Sequence, residues 1–207
     1  MFELLFPFFL IVLFILVLAI IWRNNARKYI SSGTVASAYD AWTQDKLLER
    51  LWGEHIHLGF YPSGKKNIDF RKAKVQFVHE LVKWSGLDKL PKGSRILDVG
   101  CGIGGSSRIL AEYYGFNVTG ITISPAQVKR ARELTPYGLN CNFQVMDALD
   151  LKFEDGSFDA VWSVEAGAHM NDKTRFADEM LRTLRPGGYL ALADWNSRDL
   201  GAYPPSF

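Results

Sequence analysis

The stretch Ile96-Leu97-Asp98-Val99-Gly100-Cys101-Gly102-Ile103-Gly104-Gly105-Ser106-Ser107 constrains the fold more than any other part of the chain. A short apolar strand runs into glycines at alternate positions and then into a helix. Glycines at such a turn let the backbone bend sharply and touch a ligand with no Cβ in the way. The same strand–helix order then repeats. Strands are expected at Arg95–Val99, Asn117–Ile123, Asn142–Met146, Phe158–Val164 and Tyr189–Ala193, with helices at Gly104–Tyr114, Pro125–Leu134 and Lys173–Leu184. Alternation of this kind predicts an α/β, doubly wound sheet of parallel strands with helices on both faces. Ligands are then expected at the carboxyl ends of the strands.

The 207 residues suffice for one domain plus an extra segment, and with 48% of them apolar a sizeable core can be buried. A net charge of +2 gives no electrostatic case for nucleic acid. Cys101 and Cys141 make no disulfide framework and read as reduced thiols in a cytosol-like compartment.

The extra segment is the amino terminus. From Leu4 to Trp22 every residue is apolar; as a helix the run is about 28 Å long, close to the hydrocarbon thickness of a bilayer. A cleaved signal peptide would start with basic residues and carry a shorter apolar stretch, whereas this chain starts Met1-Phe2-Glu3. Residues 1–23 are therefore expected to be a single-pass transmembrane anchor. Arg23, Arg27 and Lys28 follow it and place the rest of the chain on the cytoplasmic (or stromal-equivalent) face.

Residues 24–66 read as a linker and a lid over the site, and 67–207 as the main domain. Ser31, Ser32 and Thr34 offer caps for a helix reaching about Leu51. Trp52 to Pro62 is an aromatic, histidine-rich loop, and a helix is expected from about Asn67 to Trp84. The chain ends about a dozen residues after the fifth strand, so the last strands of the sheet are expected to be missing and the domain incomplete at its carboxyl end.

The glycine turn alone also fits a dinucleotide site, since Gly100, Gly102 and Gly105 have the G-x-G-x-x-G spacing. That site wants an acid about twenty residues on, and Gly120-Ile121-Thr122-Ile123-Ser124-Pro125 has none. Asp98 suits instead a cofactor that brings an ammonium group. Asp98 to Gly104, Phe153 to Asp159 and Leu184 to Gly188 together resemble the three ordered motifs of class I methyltransferases. This resemblance implies a Rossmann-like fold binding S-adenosyl-L-methionine, with Gly100, Gly102 and Gly104 along the cofactor. At Thr122 the chain is similar to cyclopropane fatty acid synthase-like and sterol methyltransferase-like enzymes. That likeness implies cofactor contacts from Thr122 and Gln127, and Asp147-Ala148 after the third strand is implied to meet the adenine.

The aromatic loop, the string Val118 to Pro125, and Trp162-Ser163-Val164-Glu165-Ala166-Gly167-Ala168-His169-Met170 resemble the family of cyanobacterial 2-methyl-6-phytyl-1,4-benzoquinol and γ-tocopherol methyltransferases. The resemblance implies C-methylation of a hydrophobic prenylquinol held in the membrane, in tocopherol and plastoquinone synthesis. Such a reaction needs a base for the ring proton. Glu165 and His169 are the candidates, four residues apart and on one face if the segment is helical; they can equally serve to stabilise the loop. His55 and His57 invite a metal reading, but no third ligand is evident and transfer from a sulfonium needs no metal. They are expected to line the pocket beside Trp52 and Tyr61, with Tyr39 and Trp42 in the same lid. Two other readings remain open: a methyltransferase of a sterol, phospholipid headgroup or other lipid, and an inactive cofactor-binding membrane fragment.

Overall fold

The computed structural model describes residues 12–18, 32–63 and 67–196. The chain divides into two units, Met1–Thr34 and Val35–Phe207. In the first, residues 12–18 are helical and their apolar side chains are exposed. Among the described residues no helix is long and apolar enough to cross a membrane. Most of the run Leu4 to Trp22, the cations Arg23, Arg27 and Lys28, and residues 197–207 lie outside the described residues.

In the second unit, β1 (Arg95–Val99), β2 (Asn117–Thr122), β3 (Cys141–Val145), β4 (Phe158–Val164) and β5 (Leu184–Ala193) form one sheet in the order β3-β2-β1-β4-β5. Every neighbouring pair is parallel. The helices are α1 (Ser32–Gln44), α2 (Leu47–Trp52), α3 (Phe70–Ser85), α4 (Gly105–Tyr114), α5 (Pro125–Leu134) and α6 (Lys173–Thr183). Strand order reverses at β1, with β2 and β3 to one side and β4 and β5 to the other. A sheet wound this way opens a crevice beyond the carboxyl ends of its central strands.

The core has two layers because successive strand residues point to opposite faces. Ile96, Ala160 and Trp162 pack with Val78 and Val82 of α3 and Leu110 of α4. Leu97, Val99 and Val161 pack with Phe176 and Met180, one turn apart on α6. Most of these side chains are fully buried, each worth about 1.5–3 kcal/mol in water-to-interior transfer. Helices on both faces are what the alternating sequence predicts.

Several boundaries differ from the expectation by a residue or two, and three differences have a visible cause. The helix after Ser32 breaks at Lys46, whose φ of 54° is left-handed, so α1 and α2 are separate. α3 starts at Phe70 rather than Asn67, because the Asp69 carboxylate accepts from the amides of Arg71 and Lys72 and caps it. β5 starts at Leu184, which pairs with Phe158; Arg185 to Gly188 then bulge before Tyr189 pairs with Ala160. Pro186 has no amide to give to the ladder, which accounts for the break.

Candidate active site

At the end of β1 the amides of Gly100 and Cys101 both donate to the carbonyl of Ile121, at 2.9 Å each, so the glycine turn hangs from β2. Gly100, Gly102 and Gly104 all have positive φ, 80°, 56° and 82°. Their surroundings differ in a telling way. A Cβ on Gly100 would lie 2.4 Å from the Ala166 methyl, and one on Gly104 would lie 2.7 Å from the Phe143 ring. A Cβ on Gly102 would meet no protein atom within 4 Å. Two glycines are thus required by packing, while Gly102 leaves an open surface where a ligand backbone can lie.

Asp98, just before the turn, is 2% exposed. Its carboxyl accepts from the Ser107 hydroxyl at 2.5 Å. Burial pushes its pKa up to about 7, and the Ser107 hydrogen bond opposes the shift. Asp98 is therefore a buried carboxyl behind the turn, engaged with α4.

At the end of β2 the Thr122 hydroxyl donates to Gln127 Oε1 at 2.6 Å. The spacing of five places the two side chains together because Ser124 caps α5 between them, accepting from the Gln127 amide. With its oxygen held by Thr122, Gln127 keeps its amide hydrogens as donors. It lines a small cleft with Ile103 of the glycine turn and Tyr39, Trp42 and Ile56 of the lid. At the end of β3 Asp147 accepts from the Leu149 amide at 2.9 Å, and Ala148 is buried.

Glu165 and His169 follow β4, but not on one helical face. Glu165 has a left-handed φ of 52°, and the residues after it make a 3-10 turn, Gly167–His169. The two side chains consequently reach different parts of the lid. Glu165 Oε1 accepts from the Leu58 amide at 2.9 Å. His169 Nε2 lies 2.8 Å from the Tyr39 hydroxyl. Burial raises the Tyr39 pKa, and the Glu165 charge adds to the rise.

His55 and His57 form a hydrogen-bonded pair. His55 Nδ1 is 3.0 Å from His57 Nε2, and His57 Nδ1 is 2.7 Å from the Leu58 carbonyl. A carbonyl only accepts, so His57 donates through Nδ1 and, when neutral, accepts from His55. Burial drives the His55 pKa down to about 3, with His57 and nearby cations adding to the shift. Among the described residues no group of three or more His, Cys, Asp or Glu side chains gathers as a metal site would require.

One residue escaped the sequence reading. Asp40 on α1 accepts from the Ser124 hydroxyl at 2.5 Å and the Ala126 amide at 3.1 Å, tying the lid to the start of α5. An acid in an ordinary helical stretch gives no signal of that role. Two ion pairs add to the attachment, Glu49 with Arg130 and Glu54 with Arg108, both at 2.6 Å.

A parallel sheet of this order, an open glycine turn at β1 and a lid over the strand ends define the class. Residues 97–192 match the family described as "Methyltransferase domain", and the fold is the Rossmann-like α/β fold of class I methyltransferases. Over 99% of its length it is 58% identical to the 2-methyl-6-phytyl-1,4-hydroquinone methyltransferase of Synechocystis sp.. It is 42% identical over 75% of its length to the chloroplastic tocopherol O-methyltransferase of Arabidopsis thaliana. The chain spans 64% of the first relative and 48% of the second. Among solved structures, the [4+2]-cyclase SpnF superposes with a TM-score of 0.68 at 31% identity, covering 77% of this chain and 58% of its own. A cyclase on this fold is a reminder that the fold alone does not fix the reaction.

Proposed function

We propose that the chain is an S-adenosylmethionine-dependent C-methyltransferase acting on a membrane prenylated hydroquinone resembling 2-methyl-6-phytyl-1,4-benzoquinol. The observation that carries the reading is the open face at Gly102, beside a lid whose Tyr39 and Leu58 contact His169 and Glu165. S-adenosylmethionine supplies an electrophilic methyl group on a sulfonium. Gly102 gives it backbone room in a turn that Gly100 and Gly104 let pack, and Gln127 offers amide donors to hydroxyl oxygens with Thr122 fixing its orientation. Asp147 and Ala148 border the β3 end of the same edge. Asp98, held near neutrality by burial, ionises more readily when a cation is bound nearby. On the acceptor side, Glu165 and His169 are the candidate bases for the ring proton. Both are held by contacts with the lid, His169 by Tyr39 and Glu165 by Leu58.

The apolar run Leu4 to Trp22 serves in this reading as a membrane anchor, with the domain on the side of Arg23, Arg27 and Lys28. An anchored enzyme searches only the membrane surface for an acceptor whose phytyl chain stays in the bilayer. Membranes carrying the protein should transfer label from S-adenosylmethionine to prenylquinols in preference to sterols and phospholipids. Labelling of sterols or phospholipids instead would replace the substrate assignment. Extraction of the intact protein by carbonate would remove the anchor.

A further inference from the structure

The loop between α2 and α3 presents an unusual run of large apolar side chains to solvent. Trp52, Ile56, Leu58, Phe60, Tyr61 and Phe70 are each between 39% and 54% exposed. Isolated exposed apolar residues are common, but a cluster marks an interaction surface.

The cluster is held in place rather than loosely displayed. The Phe60 amide donates to the Ala73 carbonyl at 2.9 Å, fixing the loop to the first turns of α3. The Leu58 amide is held by Glu165 and its carbonyl by His57. Lys74 Nζ sits under the rings of both Trp52 and Phe70, at 6.0 and 5.2 Å, which brings those two aromatics together. A surface fixed in this way loses little conformational freedom when it docks.

Its charge selects the occupant. Of the acids around the patch, Glu49 pairs with Arg130 and Glu54 with Arg108, while Asp69 caps α3 and Glu165 is turned inward onto the Leu58 amide. Arg50 and Lys72 are exposed and have no ion pair among the described residues. Tryptophan, tyrosine and phenylalanine rimmed by cations are the composition of a membrane interface, where anionic headgroups meet the cations and the rings enter the acyl boundary. Ile56 belongs both to the patch and to the wall of the cleft.

We infer that residues 52–61, with the first turn of α3, dock on an anionic lipid surface and open the cleft directly onto it. The inference rests on the reading of the acceptor as a membrane-held lipid, and it adds the route by which such an acceptor enters. The anchor tethers the chain; this patch orients the cleft.

The test uses the full chain in nanodiscs, with a nitroxide on Tyr61→Cys and a control nitroxide on the fully exposed Tyr137→Cys. Collision with oxygen reports lipid, and collision with a water-soluble nickel chelate reports solvent. In discs containing phosphatidylglycerol, the label at 61 should be oxygen-accessible and shielded from nickel, and the label at 137 the reverse. Arg50→Glu with Lys72→Glu should shift the docked fraction at 61 toward water by about fivefold for each cation lost. Equal nickel access at 61 and 137 overturns the docking. Shielding from both agents in amphipol, without lipid, means that protein covers the patch and overturns it too. Indifference to phosphatidylglycerol removes the anionic surface. None of these readouts involves methyl transfer, so docking can fail while the enzymatic reading stands.

Discussion

Replacing the turn glycines one at a time with alanine separates packing from ligand binding. At Gly102 the new methyl meets no protein atom within 4 Å, so the cost to folding is the left-handed backbone alone, about 1–2 kcal/mol. At Gly100 the same backbone cost applies, and the methyl also lands 2.4 Å from that of Ala166. Overpacking adds about 1–3 kcal/mol, giving roughly 2–5 kcal/mol in all. Urea unfolding should therefore rank Gly100→Ala well below Gly102→Ala in stability. Calorimetry with S-adenosylhomocysteine should find the opposite emphasis: Gly102→Ala folds, yet a methyl in the ligand's path weakens binding by about 5- to 150-fold. If Gly102→Ala bound as tightly as the parent protein, the open face would not be the cofactor surface. If it were as unstable as Gly100→Ala, the assignment of empty space there would be wrong.

The buried His55 and Asp98 should give opposing pH slopes in stability. The His55 pKa falls from 6.5 to about 3 on folding, so its contribution is complete above 6.5 and is lost as pH falls toward 3. The Asp98 pKa rises from 3.8 to about 7, so its contribution is complete below 3.8 and is lost as pH rises toward 7. Asp98→Asn should leave stability rising with pH between 4 and 6.5 by up to about 1.4 kcal/mol per unit; a flat profile in urea titrations would contradict the His55 burial. Asp40→Ala removes two hydrogen bonds to a carboxylate, costs about 1.5–3 kcal/mol per charged bond at most, and should raise amide exchange across α1 more than across α3. Gln127→Ala should weaken S-adenosylhomocysteine by roughly 0.5–1.5 kcal/mol, and a 2′-deoxyribose analogue should then lose little more. A full further loss would mean that Gln127 does not touch the sugar.

Local rules carried the sequence reading furthest where one residue type serves one backbone requirement. The glycine turn, the Pro125 start of α5 and the two-faced strand pattern of β1 were legible for that reason. The pairing of Thr122 with Gln127 was legible as proximity, because a capped helix fixes the spacing. Glu165 and His169 were legible as neighbours of the site but not in their geometry: one left-handed residue and a 3-10 turn send them to separate partners. Asp98 is legible as an acid beside the glycine turn, but its burial and its hydrogen bond from Ser107, nine residues on, are not. The roles of Asp40 and of the Leu58 backbone depend on contacts more than 80 residues away in sequence, and no local pattern encodes them.

Those separations have a consequence for how the chain is made. The lid is synthesised early, yet Asp40 finds Ser124, Glu49 finds Arg130 and Leu58 finds Glu165 only when residues 81 to 107 positions later exist. At 5–20 residues per second, the stretch from Leu58 to Glu165 takes about 5–20 s to emerge. Throughout that interval the aromatic loop has neither its Glu165 anchor nor a finished sheet to lie on. Contacts so distant in sequence also carry the largest loop-closure cost and form late. A nascent segment carrying Trp52, Ile56, Leu58, Phe60 and Tyr61 therefore keeps its apolar side chains in water for that whole interval.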